Sequence, residues 1–208
     1  MGTSRAEFSA STRRTLVEVA ERLFAEHGYA ATSLDAIVAG AEVTKGALYH
    51  HFSGKQALFE AAFENVEWAG ARQIRSALEG HPDPWEKAVA GLRAFLEVVR
   101  QPAYSRIVVQ DGPSVLGYER FREQEERPTF VYVLDIVRAV FGAGDWEPDD
   151  AMVHTFARIF FGAMSSAGTT VSRADYPDEE AERVEAAIGF ILAGLRALSD
   201  QAVPAPTS

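Results

Sequence analysis

The feature that most constrains the fold is the spacing of apolar residues, which recur every three or four positions along almost the whole chain. This spacing is typical of amphipathic helices, and no alternating run is long enough to predict a β-strand. Turn-forming residues divide the pattern into segments of helical length, beginning with Gly28 as the predicted end of the first helix. The sequence therefore predicts an all-α chain of about nine helices.

Signals for helix starts are concentrated near the N-terminus. Thr32 followed by Asp35, and Ser53 followed by Gln56, have the spacing of capping boxes, and we expect each pair to open a helix. Thr44 is expected to start a further short helix between them. Short helices joined by tight turns are typical of a helix-turn-helix unit, which we place at about residues 33–52.

The composition excludes several classes of site. The absence of cysteine excludes a disulfide scaffold and a thiolate metal site. No segment approaches the roughly 18 apolar residues of a membrane span, and the first residues lack the apolar stretch of a secretion signal. We therefore expect a cytoplasmic protein without membrane contact. No metalloprotease, phosphate-loop or serine-hydrolase motif is present, so we expect no enzyme activity, no metal and no cofactor.

The net charge of −10 is unevenly distributed. Residues 1–60 hold six basic and seven acidic side chains and so carry −1, which leaves −9 on the remaining 148 residues. This acidity argues against nonspecific coating of nucleic acid, but it leaves room for a small contact surface in the nearly neutral N-terminal part.

Residues 44–52 carry the most informative pattern. On a helical wheel Leu48 and Phe52 fall together, and we expect them to face inward. The residues expected to face outward are Gly46, Ala47, Tyr49 and His50, with Lys45 at the flank. A helix of this kind is roughly 10 Å long and fits a DNA major groove about 12 Å wide. The pattern thus favours DNA contact, and the alternative is a solvated helix start with no partner.

At these residues the chain resembles a known family. The stretch "ATSLDAIVAGAEVTKGALYHHFSGKQALFEAAF" is similar to the DNA-binding segment of the tetracycline-repressor (TetR) family. The matching positions are Thr32, Ser33, Ile37, Ala41, Val43, Thr44, Lys45, Gly46, Leu48, Tyr49, Phe52 and Lys55. The resemblance covers roughly the first 60 residues, and beyond them the chain fits the family only in length and helical pattern.

The resemblance implies a division of the chain by role. Residues 1–55 would form a helix-turn-helix DNA-binding domain, residues 56–202 a larger all-helical domain for ligand sensing and dimerisation, and residues 203–208 a Pro-rich disordered tail. It implies a sequence-specific transcriptional regulator, most simply a repressor released from a near-palindromic double-stranded operator by a small molecule. The alternative is a DNA-binding regulator without such a ligand, which is constitutive, controlled by a partner protein, or an activator.

The same resemblance implies roles for individual residues. The implied DNA contacts are Thr32, Ser33, Thr44, Lys45, Gly46, Ala47, Tyr49, His50 and Lys55. Two positions depart from the family pattern. Glu42 stands where the family commonly has glycine, and Ala47 stands where a hydroxyl is frequent. The base preference of relatives therefore cannot be transferred to this chain.

The last helix is expected to have two apolar stripes. The inward stripe is predicted at Val184, Ile188, Ile191, Leu195 and Leu198. The opposite stripe, predicted as a homodimer interface, consists of Ala186, Phe190, Ala193 and Ala197. A helix buried on both sides needs a second partner, and a second copy of the chain is the simplest one. The alternative is a helix central to its own domain.

Aromatic residues in the middle of the chain suggest an apolar or aromatic effector. The predicted ligand contacts are Trp68, Phe95, Asp111, Tyr118, His154 and Arg158. The alternative is that the polar members of this set form a solvated face. The stretch Asp111 to Gly117 is predicted to be a hinge.

Overall fold

The computed structural model describes residues 5–117, 128–143 and 147–199, and the described residues are helical without any strand. The helices are α1 (Arg5–Ala31), α2 (Leu34–Gly40), α3 (Lys45–His51), α4 (Lys55–Leu78), α5 (Pro84–Arg100), the π-helix π1 (Tyr104–Asp111), α6 (Gly112–Leu116), α7 (Thr129–Gly142), α8 (Asp150–Arg173) and α9 (Pro177–Ser199). The predicted all-α class is confirmed. Tyr118 and the predicted tail lie outside the described residues. Within the described ranges, no helix is both long and apolar enough to cross a membrane.

The chain packs as two compact units. In described residues, unit 1 comprises 5–69 and 101–117, and unit 2 comprises 70–100, 128–143 and 147–199. Packing therefore assigns π1 and α6 to the same unit as the first three helices. The predicted boundary after residue 55 divides the chain by role rather than by packing, and it stays a prediction.

Unit 1 is built around α1. Phe24 is fully buried, and its ring lies 5.2 Å from that of Phe59 on α4. The regular part of α1 ends at Gly28, as predicted, because this residue has a φ of 77°. Gly40, at the end of α2, allows close packing on α1, since a Cβ there would lie 2.8 Å from Cγ1 of Val19.

Two predicted helix starts need correction. Ser33, not Thr32, caps α2, and its hydroxyl accepts a hydrogen bond from the Ala36 amide at 3.1 Å. Thr32 is buried, and its hydroxyl donates to the Gly28 carbonyl at 2.8 Å. The capping box expected from Ser53 is not closed by Gln56, whose side-chain amide donates to the Val115 carbonyl at 3.1 Å. In both cases another backbone carbonyl competes with capping, four residues upstream for Thr32 and 59 residues downstream for Gln56.

Unit 2 packs α5, α7, α8 and α9 against one another. One part of its core joins Leu134 and Val137 of α7 to Val153 and Ala157 of α8. Gly168 of α8 permits close contact with α5, because a Cβ there would lie 2.9 Å from Cζ of Phe95 and 3.3 Å from Cγ2 of Val99.

The turn between α2 and α3 contains a strained residue. The Val43 amide donates to the Val38 carbonyl at 3.2 Å, which closes the turn over Glu42. Glu42 has a φ of 54°, in the left-handed region that glycine adopts without steric cost. The departure from the family pattern at this position therefore carries a conformational cost.

We expect Glu42→Gly to stabilise the chain. The left-handed conformation destabilises a residue that has a side chain by about 1–2 kcal/mol. Glycine avoids this cost but loses about 0.5–1 kcal/mol more backbone entropy on folding. A net gain of roughly 0.5–1 kcal/mol in the free energy of unfolding should follow, measured by urea denaturation. Glu42→Ala is the matched control, because it removes the charge but keeps the strain. An equal gain in both variants would contradict this explanation.

Candidate nucleic-acid interface

The helix α3 is held at its start by a side-chain cap. The Thr44 hydroxyl accepts a hydrogen bond from the Ala47 amide at 3.1 Å, as a residue in the N-cap position does. The predicted start of this helix at Thr44 is therefore confirmed. In this bond Thr44 Oγ1 is the acceptor. The hydroxyl group can therefore still donate a hydrogen bond to a further partner.

Two apolar anchors fix which face of α3 is outward. Leu48 is 1% exposed and Phe52 is 5% exposed, whereas Tyr49, between them in sequence, is 58% exposed. His50 is also exposed. The predicted orientation of the helix is confirmed, with its aromatic and hydrogen-bonding side chains directed away from the protein.

Gly46 lies on the outward surface near the start of α3. A Cβ at this position would meet nothing closer than Oγ1 of Thr44 at 3.8 Å. The packing of the chain therefore does not require glycine here, although glycine in a helix costs up to about 1 kcal/mol relative to alanine. Glycine thus leaves the backbone of α3 open to close approach from outside.

The positive charge of Lys45 is paired within the head. Its Nζ lies 2.6 Å from Oδ1 of Asp35 on α2, and both side chains are exposed. Hydrogen bonding to Asp35 and the charge of that carboxylate raise the pKa of Lys45 above its usual value. A surface pair of this kind contributes little to stability, so the ammonium group can exchange Asp35 for another anion at low cost.

Lys55 occupies the first turn of α4, as predicted, and it is half-buried. Its Nζ lies 4.3 Å from the ring centroid of Tyr29 and 3.4 Å from the Ala30 carbonyl oxygen. Burial lowers the pKa of Lys55 below its usual value. The side chain thus links the start of α4 to the end of α1 and reaches solvent only in part.

The end of α3 carries two adjacent imidazoles. The ring centroids of His50 and His51 lie 5.1 Å apart at a steep angle. Burial is the main reason that the pKa of His51 is lowered, and the nearby His50 and Arg13 lower it further. The Arg13 guanidinium lies over the Phe52 ring at 5.2 Å, so α1 also packs a cation against the end of α3.

The predicted DNA contacts thus fall into two groups. Those at the surface of α2, α3 and the start of α4 are Ser33, Thr44, Lys45, Gly46, Ala47, Tyr49, His50 and Lys55. Thr32 differs from them, because it is 4% exposed and its hydroxyl donates to the Gly28 carbonyl. The structure therefore gives Thr32 a role inside the fold rather than at the surface.

The predicted ligand contacts are distributed over both compact units. Trp68 and Asp111 belong to unit 1, whereas Phe95, His154 and Arg158 belong to unit 2. The tryptophan is 51% exposed, and the histidine and arginine are exposed on α8. Asp111 accepts a hydrogen bond from the Tyr29 amide at 2.8 Å, a contact that the sequence did not indicate. Tyr118 lies outside the described residues, and the predicted ligand contacts stay a prediction.

The predicted dimer residues all lie on an exposed face of α9. Ala186, Phe190, Ala193 and Ala197 are exposed, and Phe190 is 81% exposed. The predicted inward stripe was wrong at two positions, because Ile191 and Leu198 are also more than half exposed. The face turned inward instead includes Ala181, Val184, Ile188, Leu192 and Leu195. The reason is that a seven-residue repeat drifts by about 20° per heptad on a straight helix.

Comparison with known families gives two matches along the chain. Residues 16–62 match the model described as "Bacterial regulatory proteins, tetR family", and residues 85–195 match "Tetracyclin repressor-like, C-terminal domain". The first match contains α2 and α3, and the second extends from α5 to α9. These are families of regulators and not of enzymes, which confirms the prediction that the chain is not an enzyme.

Individual proteins agree with this result. The chain is 35% identical over 107 residues to a protein of Escherichia coli strain K12 described as a probable acrEF/envCD operon repressor. That match covers 47% of this chain and 46% of the repressor, so the chain spans about half the length of this curated relative.

Solved structures show the same fold over almost the whole chain. A TetR-family transcriptional regulator from Pectobacterium atrosepticum has a TM-score of 0.80 and 28% identity, with 93% of this chain and 97% of that chain covered. RolR, solved in complex with resorcinol, has a TM-score of 0.70 and 19% identity, with 98% of this chain and 100% of that chain covered. With both its N-terminal and its C-terminal segments matched, the chain belongs to the tetR family of bacterial regulatory proteins.

Proposed function

We propose that the chain is a sequence-specific DNA-binding transcriptional regulator, which acts as a homodimeric repressor and is released from DNA by a small molecule. The observation that carries this proposal is the division of α3 into a buried face, Leu48 and Phe52, and an exposed face that bears Tyr49. A short helix with one face anchored and the other free is suited to insertion into a major groove.

The proposed DNA surface combines backbone access with hydrogen-bonding groups. Gly46 lets the start of α3 approach the base edges closely, and Ala47 offers a methyl group of the size that packs on thymine. Tyr49 and His50 contribute donors and acceptors further along the same face. In this arrangement the outward face of α3 reads bases.

The flanking residues are proposed to hold phosphates. Ser33 and Thr44 lie exposed at the starts of their helices. Lys45 would exchange its contact with Asp35 for a phosphate oxygen, and Lys55 lies in the first turn of α4, where free amides favour an anion. Phosphate contacts fix the position and register of a protein on DNA, and base contacts supply specificity.

The proposed dimer uses the exposed apolar face of α9. Phe190, Ile191 and Leu198 are exposed there, and Ile159 of α8 is 64% exposed in the same unit. Apolar side chains exposed in this number favour a protein interface. Members of the family act as dimers, and two copies of α3 about 34–36 Å apart would read a near-palindromic site.

The proposed regulation follows the family and the names of the relatives. The E. coli relative is described as an operon repressor, and RolR was solved with the small aromatic molecule resorcinol. We place the effector in the apolar or aromatic class because α7 and α8 supply half-buried ring pairs, such as Phe130 with Phe161 at 5.6 Å and Phe141 with Phe156 at 5.0 Å. Such a ligand would weaken DNA binding by preferring the conformation that binds DNA less well.

Selection of bound sequences from a random pool of double-stranded DNA tests the proposed function. We expect enrichment of a near-palindrome whose half-sites are about one helical turn apart. The absence of enrichment would refute the DNA-binding proposal, and a single half-site would refute the dimeric one. Repeating the binding measurement with a panel of apolar and aromatic compounds tests the effector, because a regulator without a ligand would bind the selected site unchanged.

The substitution Gly46→Ala should separate folding from binding. We expect the free energy of unfolding to rise by about 0.5–1 kcal/mol, because alanine is the better helix former and the added Cβ meets no close neighbour. Affinity for the selected site should fall about tenfold or more, because the methyl group would stand between the backbone and the bases. Gly142→Ala is the matched control, since a Cβ there meets nothing within 4 Å and the residue lies at the end of α7. Unchanged affinity in Gly46→Ala would remove this residue from the interface.

The substitution Phe190→Glu should dissociate the dimer. Burying a carboxylate without a partner is costly, so we expect at least a tenfold weakening of self-association in analytical ultracentrifugation. Val131→Glu, on an exposed position of α7 in the same unit, is the control and should leave the assembly unchanged. A Phe190→Glu variant that dimerises as tightly as the unaltered chain would place the interface elsewhere.

A further inference from the structure

Unit 1 contains a segment that follows α5 in sequence but packs against α1. The π-helix π1 contacts α1, and the Asp111 side chain at its end reaches the Tyr29 amide across 82 positions of sequence. We propose that Arg106 and Asp111 are positioning residues for DNA reading, which hold the turn at Gly28 and Tyr29 from which α2 and α3 continue. This inference rests on the proposed DNA-binding function.

Arg106 fills the space that a side chain at residue 28 would occupy. A Cβ on Gly28 would lie 2.1 Å from Nη2 of Arg106 and 2.7 Å from its Cζ. Gly28 also has a φ of 77°, which disfavours any residue with a Cβ. The positive φ favours glycine at this position, and the guanidinium group of Arg106 packs where the missing side chain would be.

Asp111 holds the next residue by its backbone. Its Oδ2 accepts a hydrogen bond from the Tyr29 amide at 2.8 Å and lies 3.3 Å from Nε of Arg106. The Asp111 side chain is 20% exposed, so this contact is shielded from most of the solvent. The carboxylate therefore joins the end of α1 to the guanidinium that packs on Gly28.

The π-helical geometry explains why these two side chains meet. Arg106 and Asp111 are five positions apart, and in an α-helix they would point about 140° away from each other. A π-helix is bonded from residue i to residue i+5, which brings such residues onto one face. The bond at 3.2 Å from the Gln110 side chain to Ser105 follows the same spacing. Helices of this kind are rare. Here the π-helix directs the side chains of both Arg106 and Asp111 to the Gly28–Tyr29 turn.

Tyr29 is held from the other side by α4. The centroid of its ring lies 5.2 Å from that of Phe59, and Lys55 Nζ lies over the same ring, 4.3 Å from the centroid. Only a short stretch separates Tyr29 from Ser33, the cap of α2, and within it Thr32 is bonded back to the Gly28 carbonyl. A shift of the Gly28–Tyr29 turn would therefore be passed directly to α2 and, through the tight turn, to α3.

The test compares Asp111→Ala with Asp111→Asn in the full chain. Asp111→Ala removes the acceptor for the Tyr29 amide, whereas asparagine keeps an acceptor oxygen and loses only the attraction to Arg106. We expect Asp111→Ala to lower affinity for the DNA site selected by the unaltered chain about tenfold, and Asp111→Asn to restore most of it. The slope of log affinity against log salt should not change, because no phosphate contact is lost. Hydrogen exchange at the Tyr29 amide should accelerate in Asp111→Ala.

Glu64→Ala is the matched control, because it removes one exposed carboxylate from α4 in the same unit and should preserve both affinity and Tyr29 exchange. Wild-type affinity in a folded Asp111→Ala chain would overturn the proposal, as would a reduced salt slope or a Tyr29 amide that exchanges equally in all variants. Failure of the unaltered chain to select any site would instead refute the proposed function. If Asp111→Ala does not fold, the decision rests on Arg106→Ala, which removes the guanidinium group from Gly28 and Asp111. Faster Tyr29 exchange with weaker binding in that variant supports the proposal, and unchanged values of both overturn it.

Discussion

The burial of Leu48 and Phe52 is the interaction on which the rest of the candidate site depends. A helix as short as α3 is marginal by itself, because isolated helices need about 12–15 residues to be stable in water. Burial of a large apolar side chain contributes about 1.5–3 kcal/mol, so two anchors and the Thr44 cap supply what intrinsic propensity does not. The same anchors decide which residues face outward. The burial of these two side chains therefore both stabilises α3 and sets the orientation of its outward face.

Three glycines in unit 1 are present for three different physical reasons. Gly28 combines a positive φ with close contact to Arg106, and Gly40 makes room for Val19 on the neighbouring helix. Gly46 has neither constraint, because its surroundings are open and its φ is ordinary. The first two are explained by the fold alone. The third is not required by the fold, and it leaves the backbone of α3 accessible to close approach from outside the chain.

The sequence predicted most of this from local patterns. The helical class, the start of α3 at Thr44 and the inward position of Leu48 depend on residues within one turn of each other, and the structure has all three. Predictions failed where a distant partner decided the outcome. Gln56 has the spacing of a capping residue, but its side-chain amide donates to the Val115 carbonyl, and the bond from the Tyr29 amide to Asp111 was not indicated by the sequence. No local pattern in one sequence reports such partners.

The error on the last helix has a different cause. The apolar residues of α9 follow a repeat of seven, and treating that repeat as straight placed Ile191 and Leu198 inside. On a real helix the stripe rotates steadily, and these two residues move toward the exposed face that bears Phe190. The correction enlarges the apolar surface offered to a partner. The exposure of Ile191 and Leu198 therefore supports the proposed dimer interface on α9.

The charges around α3 bear on how selectively such a surface would act. Lys45 is already paired with Asp35, Glu42 lies in the adjacent turn, and the chain as a whole carries a net charge of −10. Nonspecific DNA binding depends on cations that displace counterions from phosphates, and acids beside the contact surface reduce that attraction at every sequence equally. Base contacts are not weakened in the same way, because they depend on fit in the groove rather than on net charge. An acidic setting for α3 therefore lowers the affinity for every sequence by a similar factor, and discrimination between sites is left to the base contacts.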